Sequence, residues 1–277
     1  MNDLKMIASD MDGTFLSDDK LYDIERFIKQ LEFMKEHDIK FVAASGNQVQ
    51  HLKHIFKPAI ERGFKLDYVA SNGALVVSGD EIVHASTLTK EQMSKVIQWN
   101  ADNPASSGNL VVLNGINGSY VSNHATEQHI KLLKIWYHNL RQVEKFAEVE
   151  DDILEVTFIW NLNENVSERV EELRQVFGDQ LHATGSGFGS VDILAPNANK
   201  ATGLQYLQDR YGIQNDQIVV FGDNQNDLEM LKKYPQGGYV MPNAEEFMHD
   251  QVELKALADN NNDGVLKTID SLLENLN

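Results

Sequence analysis

The chain has 277 residues, which at about 150 residues per domain predicts two domains. Hydrophobic residues make up 42% of the chain, so a large core can form and disorder as the main state is excluded. The formal net charge of −18 argues against binding to nucleic acid or anionic membranes, and the absence of cysteine excludes disulfides, thiolate nucleophiles and Cys-based zinc sites.

The N-terminal segment has no basic stretch followed by an apolar run, so no signal peptide is expected. No apolar run reaches the roughly 18 residues that a membrane span needs. With the absence of cysteine, these features predict a cytoplasmic protein. The sequence gives no indication of an oligomeric state.

The first part of the chain alternates short apolar strands with helices. Strands are predicted at 4–9, 41–44 and 68–70, with one helix over 21–36 and another over 48–56. This alternation is typical of a parallel α/β sheet.

From about residue 84 the pattern becomes α+β and largely antiparallel. A hairpin over 74–84 leads into this block, and Thr89 with Gln92 forms a capping box that opens a helix. A glycine-rich turn is predicted at 185–187. The other predicted elements are helices at 127–137 and 167–177 and strands at 110–113, 119–121, 153–160, 180–184 and 190–195.

Strand–helix alternation then returns. A helix is predicted over 200–211, ended by Gly212, followed by a strand at 217–221, a helix from about 226 and a last helix over 265–276. We therefore predict a core domain built from residues 1–83 and 191–277, with an inserted domain at 84–190.

The motif Asp10-x-Asp12-Gly13-Thr14, with two aspartates, follows the first predicted strand. Residues at i and i+2 of an extended chain point to the same side, so the two carboxylates can divide the work of catalysis. One can act as a nucleophile that forms an acyl phosphate, and the other as a general acid and then a general base. The alternative is a solvated acidic turn.

Two further motifs suit the binding of an anion. Ser45-Gly46-Asn47 follows the second strand, where a hydroxyl and free backbone N–H groups at a helix N-terminus can hold a phosphate. Lys200 begins a helix, where its charge opposes the helix dipole unless it reaches a bound phosphate. The alternatives are an ordinary N-cap serine and a surface lysine.

A fourth motif, Gly222-Asp223-Asn224-Gln225-Asn226-Asp227, follows the strand at 217–221. Its aspartates at i and i+4 suggest one ligand of a hard cation and one residue that orients the site; oxygen donors favour Mg²⁺ over zinc. The alternative is a polar first turn of a helix. In an open parallel sheet all four motifs would meet beyond the carboxyl ends of the strands.

The four motifs, in this order, resemble those of the haloacid dehalogenase superfamily of phosphohydrolases, over essentially the whole chain. Ser71-Asn72-Gly73-Ala74, Asp192-Ile193 and Asp263-Gly264-Val265 resemble the family as well. The insert resembles the large type C2 cap of the Cof-like branch. Ala44-Ser45-Gly46-Asn47-Gln48 lacks the arginine of the Thr-Gly-Arg that most members have, and is similar to bacterial sugar phosphatases.

The resemblance implies a Rossmann-like parallel α/β core with an inserted α+β cap. It implies that Asp10 is the nucleophile and Asp12 the general acid/base. It also implies Mg²⁺ held by Asp10, the backbone carbonyl of Asp12 and Asp223, with Asp227 orienting these ligands. The implied phosphate-binding residues are Ser45, Gly46, Asn47, Lys200 and Asn226.

We therefore expect a Mg²⁺-dependent phosphatase that hydrolyses a small phosphorylated metabolite, foremost a sugar phosphate, through an aspartyl-phosphate. A phosphomutase or phosphotransferase uses the same intermediate and remains open. So does a phosphatase of a phosphorylated cofactor such as flavin mononucleotide or pyridoxal phosphate. A receiver domain also has a phosphorylatable aspartate, but it needs neither an inserted domain nor a second carboxylate at i+2.

Asp259-x-Asn261-x-Asp263-Gly264 resembles the start of a calcium-binding EF-hand loop. The twelfth position of such a loop would be Asp270 instead of a bidentate glutamate, and the ninth is Lys267. We therefore predict a turn before the last helix and no calcium site.

Overall fold

The computed structural model describes residues 3–161, 165–187 and 189–276 and divides into two compact units. The core unit contains the residues up to His84 and from Asn199 onwards, and the inserted unit is Ala85–Ala198. We predicted that the second segment of the core unit begins at residue 191. In the structure this segment begins at Asn199, because the strand Ser190–Leu194 pairs with two strands of the inserted unit.

The N-terminal half of the core unit follows the predicted alternation. Every residue of the first strand is buried, as expected for a strand covered on both faces. The first helix is capped by Asp23, whose side chain accepts from Arg26 N–H. The elements are β1 (Met6–Ser9), α1 (Ile24–Glu36), β2 (Lys40–Ala44), α2 (Val49–Ile55), α3 (Lys57–Glu61), β3 (Asp67–Ala70), β4 (Leu75–Ser78) and β5 (Glu81–Ala85).

The inserted unit is a six-stranded sheet with helices. The Thr89 capping box is present as predicted. The elements are α4 (Lys90–Asp102), β6 (Leu110–Gly115), β7 (Ser119–Ser122), α5 (Glu127–Trp136), β8 (Leu140–Val143), β9 (Ile153–Ile159), α6 (Ser167–Phe177), β10 (His182–Gly187) and β11 (Ser190–Leu194). The strand order is β10-β11-β9-β6-β7-β8, antiparallel except for the parallel pair β7–β8.

One local prediction for the inserted unit is wrong. Gly185–Gly187 was predicted to be a turn, but these residues belong to β10, with an irregularity in pairing between Gly185 and Gly187. Glycine inside a strand often marks a β-bulge, so the two glycines that suggested a turn belong to a bulge in this strand.

The C-terminal half of the core unit begins with the predicted helix, which ends at Gly212 in the left-handed conformation. Three short elements were not predicted, because each has only two to four residues and no readable periodicity. The elements are α7 (Lys200–Tyr211), β12 (Ile218–Gly222), α8 (Leu228–Lys233), β13 (Gly238–Val240), α9 (Glu246–His249), β14 (Leu254–Lys255) and α10 (Gly264–Glu274).

The core sheet has the strand order β14-β13-β12-β1-β2-β3-β4-β5. Neighbours from β14 to β3 are parallel, and β4 is antiparallel to β3. The two halves of the chain meet between β1 and β12, where the strand order reverses direction. Ligands of open α/β sheets bind at such a switch point, beyond the carboxyl ends of the strands. The predicted α/β fold class is confirmed.

Apolar side chains from both halves of the chain form one core cluster of this unit. Val42, Val69 and Val220 of the sheet pack in it with Leu204 and Leu207 of α7. No helix in the described part of the chain has the length and apolar character of a membrane span.

Gly73 lies in close contact with the start of α7. Its φ is +94°, and a Cβ added there would lie 2.0 Å from the backbone oxygen of Asn199. A side chain at this position is therefore excluded both by backbone conformation and by space.

We predict that Gly73→Ala destabilises the protein more than Gly63→Ala. Gly63 has a φ of +85° but open space around it, so alanine there costs only backbone strain, about 1–2 kcal/mol. Alanine at 73 must in addition displace Asn199. Urea unfolding of both variants measures the two free energies, and equal costs would contradict the close contact.

Candidate active site

The predicted site residues follow three adjacent strands. Asp10 follows β1, Ser45 follows β2 and Asp223 follows β12. These strands are parallel neighbours in the order β12-β1-β2, so their carboxyl ends lie at one edge of the sheet. The N–H of Asp10 donates to the carbonyl of Phe221 over 3.0 Å, which extends the pairing into the site.

Lys200 lies at the centre of this edge. Its Nζ is 2.6 Å from Asp10 Oδ1 and 2.6 Å from Asp227 Oδ1, and its side chain has no exposed surface. The helix start that carries it is fixed by Asn199, whose side chain accepts from Thr202 N–H in a capping box. Lys200 is therefore a buried ion-pair partner, which excludes the alternative of a surface lysine.

The buried charges shift one another's protonation equilibria. Burial raises the pKa of Asp10 well above its usual range, and the charge of Lys200 opposes that shift without cancelling it. Burial disfavours the ammonium form of Lys200, but the charges of Asp10 and Asp227 raise its pKa above the usual range. Lys200 is therefore a permanent cation between two carboxyl groups.

Asp223 and Asp227 hold the loop after β12. Asp227 Oδ2 accepts from the backbone N–H groups of Asp223 and Asn224, each over 3.1 Å. Asp223 Oδ1 accepts from Thr14 Oγ1 over 2.5 Å. Burial, with the negative charge of Asp227, raises the pKa of Asp223 to about 7. A Cβ on Gly13 would lie 2.6 Å from Asp223 Oδ2, so only glycine fits beside this carboxylate.

The donor set suits a hard divalent cation. One oxygen from each of Asp10, Asp223 and Asp227 lies within 4.8 Å of the others. When ionised, these carboxylates leave two negative charges uncompensated by Lys200. Because Asp227 accepts from Lys200 and from two backbone N–H groups, Asp10 and Asp223 are the better ligands. Oxygen donors and a surplus of two negative charges fit Mg²⁺.

Asp12 and Asn47 join the two loops that follow β1 and β2. Asn47 Nδ2 donates to Asp12 Oδ2 over 2.8 Å, and Asn47 N–H donates to Ser45 Oγ over 3.1 Å. Lys20 Nζ lies 2.6 Å from Asp12 Oδ1. Position 47 therefore places a side-chain amide in contact with Asp12.

Gly46 and Asn226 meet at Asn72. Asn226 Nδ2 donates to Asn72 Oδ1 over 3.0 Å, and a Cβ on Gly46 would lie 3.2 Å from the same amide group. Asn72 and its neighbour Ser71 both have positive φ, of 48° and 45°. Such strained backbone outside glycine is uncommon and concentrates at functional sites.

The structure thus brings all the predicted site residues to one edge of the core sheet. Sequence reasoning missed three residues that contact them, Thr14, Lys20 and Asn72. It also missed Asn243, whose side chain donates to the carbonyl of Gly13 beside Asp12. Thr14 and Asn72 belong to the recognised motifs and could have been found there. Lys20 and Asn243 depend on how distant loops fold, and no local pattern marks them.

Comparison with known proteins identifies the family of this chain. The family model of haloacid dehalogenase-like hydrolases matches residues 7–269. The 5-amino-6-(5-phospho-D-ribitylamino)uracil phosphatase YbjI of Escherichia coli (strain K12) is 36% identical over 274 residues, covering 98% of this chain and 97% of that protein. The phosphatase of the same name, YitU, from Bacillus subtilis (strain 168) is 26% identical and covers 95% of each chain.

Among solved structures, SMU.1108c from Streptococcus mutans UA159 superposes with a TM-score of 0.88 at 29% identity, covering 98% of this chain and 99% of that one. The family match spans nearly the whole sequence, and the named relatives are phosphatases over their full length. The chain therefore belongs to the haloacid dehalogenase-like hydrolases, and it is a phosphatase of a phosphorylated metabolite.

Proposed function

We propose that this phosphatase depends on Mg²⁺ and hydrolyses phosphate monoesters of sugars and sugar-like polyols through an aspartyl-phosphate on Asp10. The observation that carries the proposal is the buried ion pair of Asp10 and Lys200 beside Asp223. It combines a nucleophilic carboxylate, a phosphate-binding cation and a site for a divalent metal at one sheet edge.

In the first half-reaction, an Asp10 carboxylate oxygen attacks phosphorus in line with the ester oxygen. A bond forms between Asp10 and phosphorus, the bond from phosphorus to the ester oxygen breaks, and Asp12 gives that oxygen its proton. Lys200 and the Ser45 hydroxyl bind the non-bridging phosphate oxygens and offset the charge that develops on them.

In the second half-reaction, Asp12 takes a proton from water. The water oxygen attacks phosphorus, its bond to Asp10 breaks, and inorganic phosphate leaves with Asp10 restored. The same group thus serves as acid and then as base, which returns the enzyme to its starting protonation state.

The metal would be held by the carboxylates of Asp10 and Asp223 and by the backbone carbonyl of Asp12, with Asp227 orienting the loop. Bound there, Mg²⁺ supplies charge neutralisation between two anions, the phosphate and Asp10, that otherwise repel each other. The chain's own contribution is the rigid placement of these oxygens by Thr14 and by the backbone of the loop after β12.

Two observations support the proposed substrate class. The loop after β2 has the sequence pattern of sugar phosphatases, and the relatives are named for a phosphorylated sugar-like substrate. The substrate in those names carries a phosphate on a ribityl chain, which is chemically a sugar alcohol. We therefore take 5-amino-6-(5-phospho-D-ribitylamino)uracil as the first substrate to test. The reacting groups all lie in the core unit, so we assign selection of the leaving group to the inserted unit.

Asp10→Asn is expected to lower turnover by about 1000-fold or more, because an amide cannot form the acyl phosphate. The fold is expected to persist, since Lys200 keeps Asp227 as a counter-charge. Phosphate release and thermal unfolding measure the two effects. The matched control is Asp19→Asn, an exposed carboxylate of the following loop, which should remain as active as wild type. Turnover of Asp10→Asn within tenfold of wild type would remove Asp10 from the mechanism.

Chelation is expected to stop activity, and added Mg²⁺ to restore it. Ca²⁺ is expected to inhibit, because its larger coordination shell misplaces the phosphate for in-line attack. Mg²⁺ should also raise the midpoint of thermal unfolding, and Asp223→Asn should reduce that increase. Full activity of dialysed enzyme in excess chelator would contradict this proposal.

The Mg²⁺-induced stabilisation is expected to grow between pH 5 and pH 8. The raised pKa of Asp223, about 7, means that without metal this carboxyl group binds its proton more tightly in the folded state. The bound proton therefore stabilises the folded state at low pH, and this stabilisation is lost as the pH rises towards 7. Once the carboxyl group is ionised, the metal binds without displacing a proton, so metal binding adds more to the free energy of unfolding. Unfolding midpoints with and without Mg²⁺ at the two pH values measure the difference.

A panel of phosphate esters tests the substrate class. The ribitylaminouracil phosphate and hexose phosphates are expected to give higher kcat/KM than flavin mononucleotide or pyridoxal phosphate. Phosphate release must match loss of ester, because a phosphomutase would give isomerised ester without free phosphate. Preference for a phosphorylated cofactor over every polyol phosphate would assign the enzyme to the other class.

A further inference from the structure

The Asp12 carboxylate is held at both of its oxygens. Lys20 Nζ lies 2.6 Å from Oδ1, and Asn47 Nδ2 donates to Oδ2 over 2.8 Å. Asn47 Nδ2 also lies 3.2 Å from Ser45 Oγ, which ties it to the loop after β2. With one donor on each oxygen, rotation of the carboxylate breaks both bonds, so a single orientation is favoured.

The backbone of Lys20 is fixed by a tight turn over residues 17–21. Lys20 N–H donates to the Ser17 carbonyl over 2.8 Å, and Ser17 N–H donates to the Leu21 carbonyl over 2.9 Å. Lys20 itself has a left-handed φ of 61°. Its long side chain therefore begins at a defined point next to Asp12.

This turn is braced by the segment that resembles an EF-hand loop. Asn261 Oδ1 accepts from Asp18 N–H, and Asn261 Nδ2 donates to Asp18 Oδ2, each over 3.0 Å. Asn260 Nδ2 donates to the Leu16 carbonyl over 3.1 Å and to Asp18 Oδ1 over 3.0 Å. The side-chain amides of Asn260 and Asn261 thus bind the loop after β1.

Asn243 extends the brace to the start of the same loop. Its Nδ2 donates to the Gly13 carbonyl over 2.7 Å, and its Oδ1 accepts from Asn260 N–H over 3.1 Å. Residues on both sides of Thr14 are therefore fixed to one C-terminal segment. We call Asn243, Asn260 and Asn261 the asparagine brace.

We propose that Lys20, held in place by the asparagine brace, is a positioning residue that keeps Asp12 aimed at the leaving oxygen of the substrate. This inference rests on the proposed role of Asp12 as general acid. The side chains of Lys20 and Asp12 are 42% and 31% exposed, so their pairing contributes little to stability. The pair matters instead for the position of the Asp12 carboxyl group, because displacing a catalytic group by about 1 Å can lower the rate 100-fold.

The dependence of rate on the leaving group separates positioning from a structural role. A sugar alkoxide is a poor leaving group and needs its proton during bond cleavage, whereas p-nitrophenolate leaves without one. The ratio kcat/KM covers the steps from substrate binding to the release of the alcohol or phenol, so it includes the acid step and excludes the later step in which Asp12 acts as a base. A merely structural defect would lower kcat/KM on both esters alike.

The experiment compares Lys20→Met with wild type on a sugar phosphate and on p-nitrophenyl phosphate. We expect kcat/KM on the sugar phosphate to fall by about ten- to hundredfold, and that on p-nitrophenyl phosphate to change by less than about threefold. Lys20→Arg keeps a charged donor and should recover part of the loss. Lys53→Met is the matched control, because Lys53 also pairs with an aspartate, Asp80, at 2.7 Å and with 35% exposure.

Asn261→Ala tests the brace without touching Lys20 or Asp12. It should give the same preferential loss on the sugar phosphate, of smaller size. Equal loss of kcat/KM on both esters in Lys20→Met would overturn the positioning role. Activity of Asp10→Asn at the wild-type level would instead overturn the proposed function, so the two failures are distinguishable.

Discussion

The site depends on one interaction, the buried ammonium group of Lys200 between Asp10 and Asp227. Asp10 and Lys200 are 190 positions apart in sequence, and the whole inserted unit lies between them. Their contact joins the end of β1 to the start of α7, while Asp227 adds the loop after β12. Removing Lys200 would leave the buried carboxylates of Asp10 and Asp227 without a counter-charge, which is far more costly than losing a surface ion pair.

The same interaction sets the charge balance of the site. A chain with a net charge of −18 repels an anionic substrate, and Lys200 alone cannot offset three carboxyl groups. Burial raises the pKa values of Asp10 and Asp223, and the negative charges of the neighbouring carboxylates add to the shift. Under the proposed function, a bound divalent cation would offset this negative charge, so that the site can accept a phosphate ester.

The parts of this architecture that follow from local chemistry could be predicted from the sequence. Apolar runs that end in aspartate identified β1 and β12, and the helix over Lys200–Tyr211 has the predicted limits because Gly212 ends it. A strand at 190–195 was predicted, but the end of the inserted unit was not, because only the pairing of this strand with β9 and β10 assigns it to that unit. The contacts of Lys20 likewise require the folded turn and a segment some 240 residues away.

Both chain crossings into the inserted unit are tied down within the core unit. His84, the last core residue before the insert, stacks its ring on Tyr206 of α7 at 3.7 Å, and Asn199, the first residue after it, contacts Gly73. The insert therefore leaves from and returns to fixed points. An insertion anchored in this way can change in length and sequence while the core unit, which holds the candidate site, keeps its geometry.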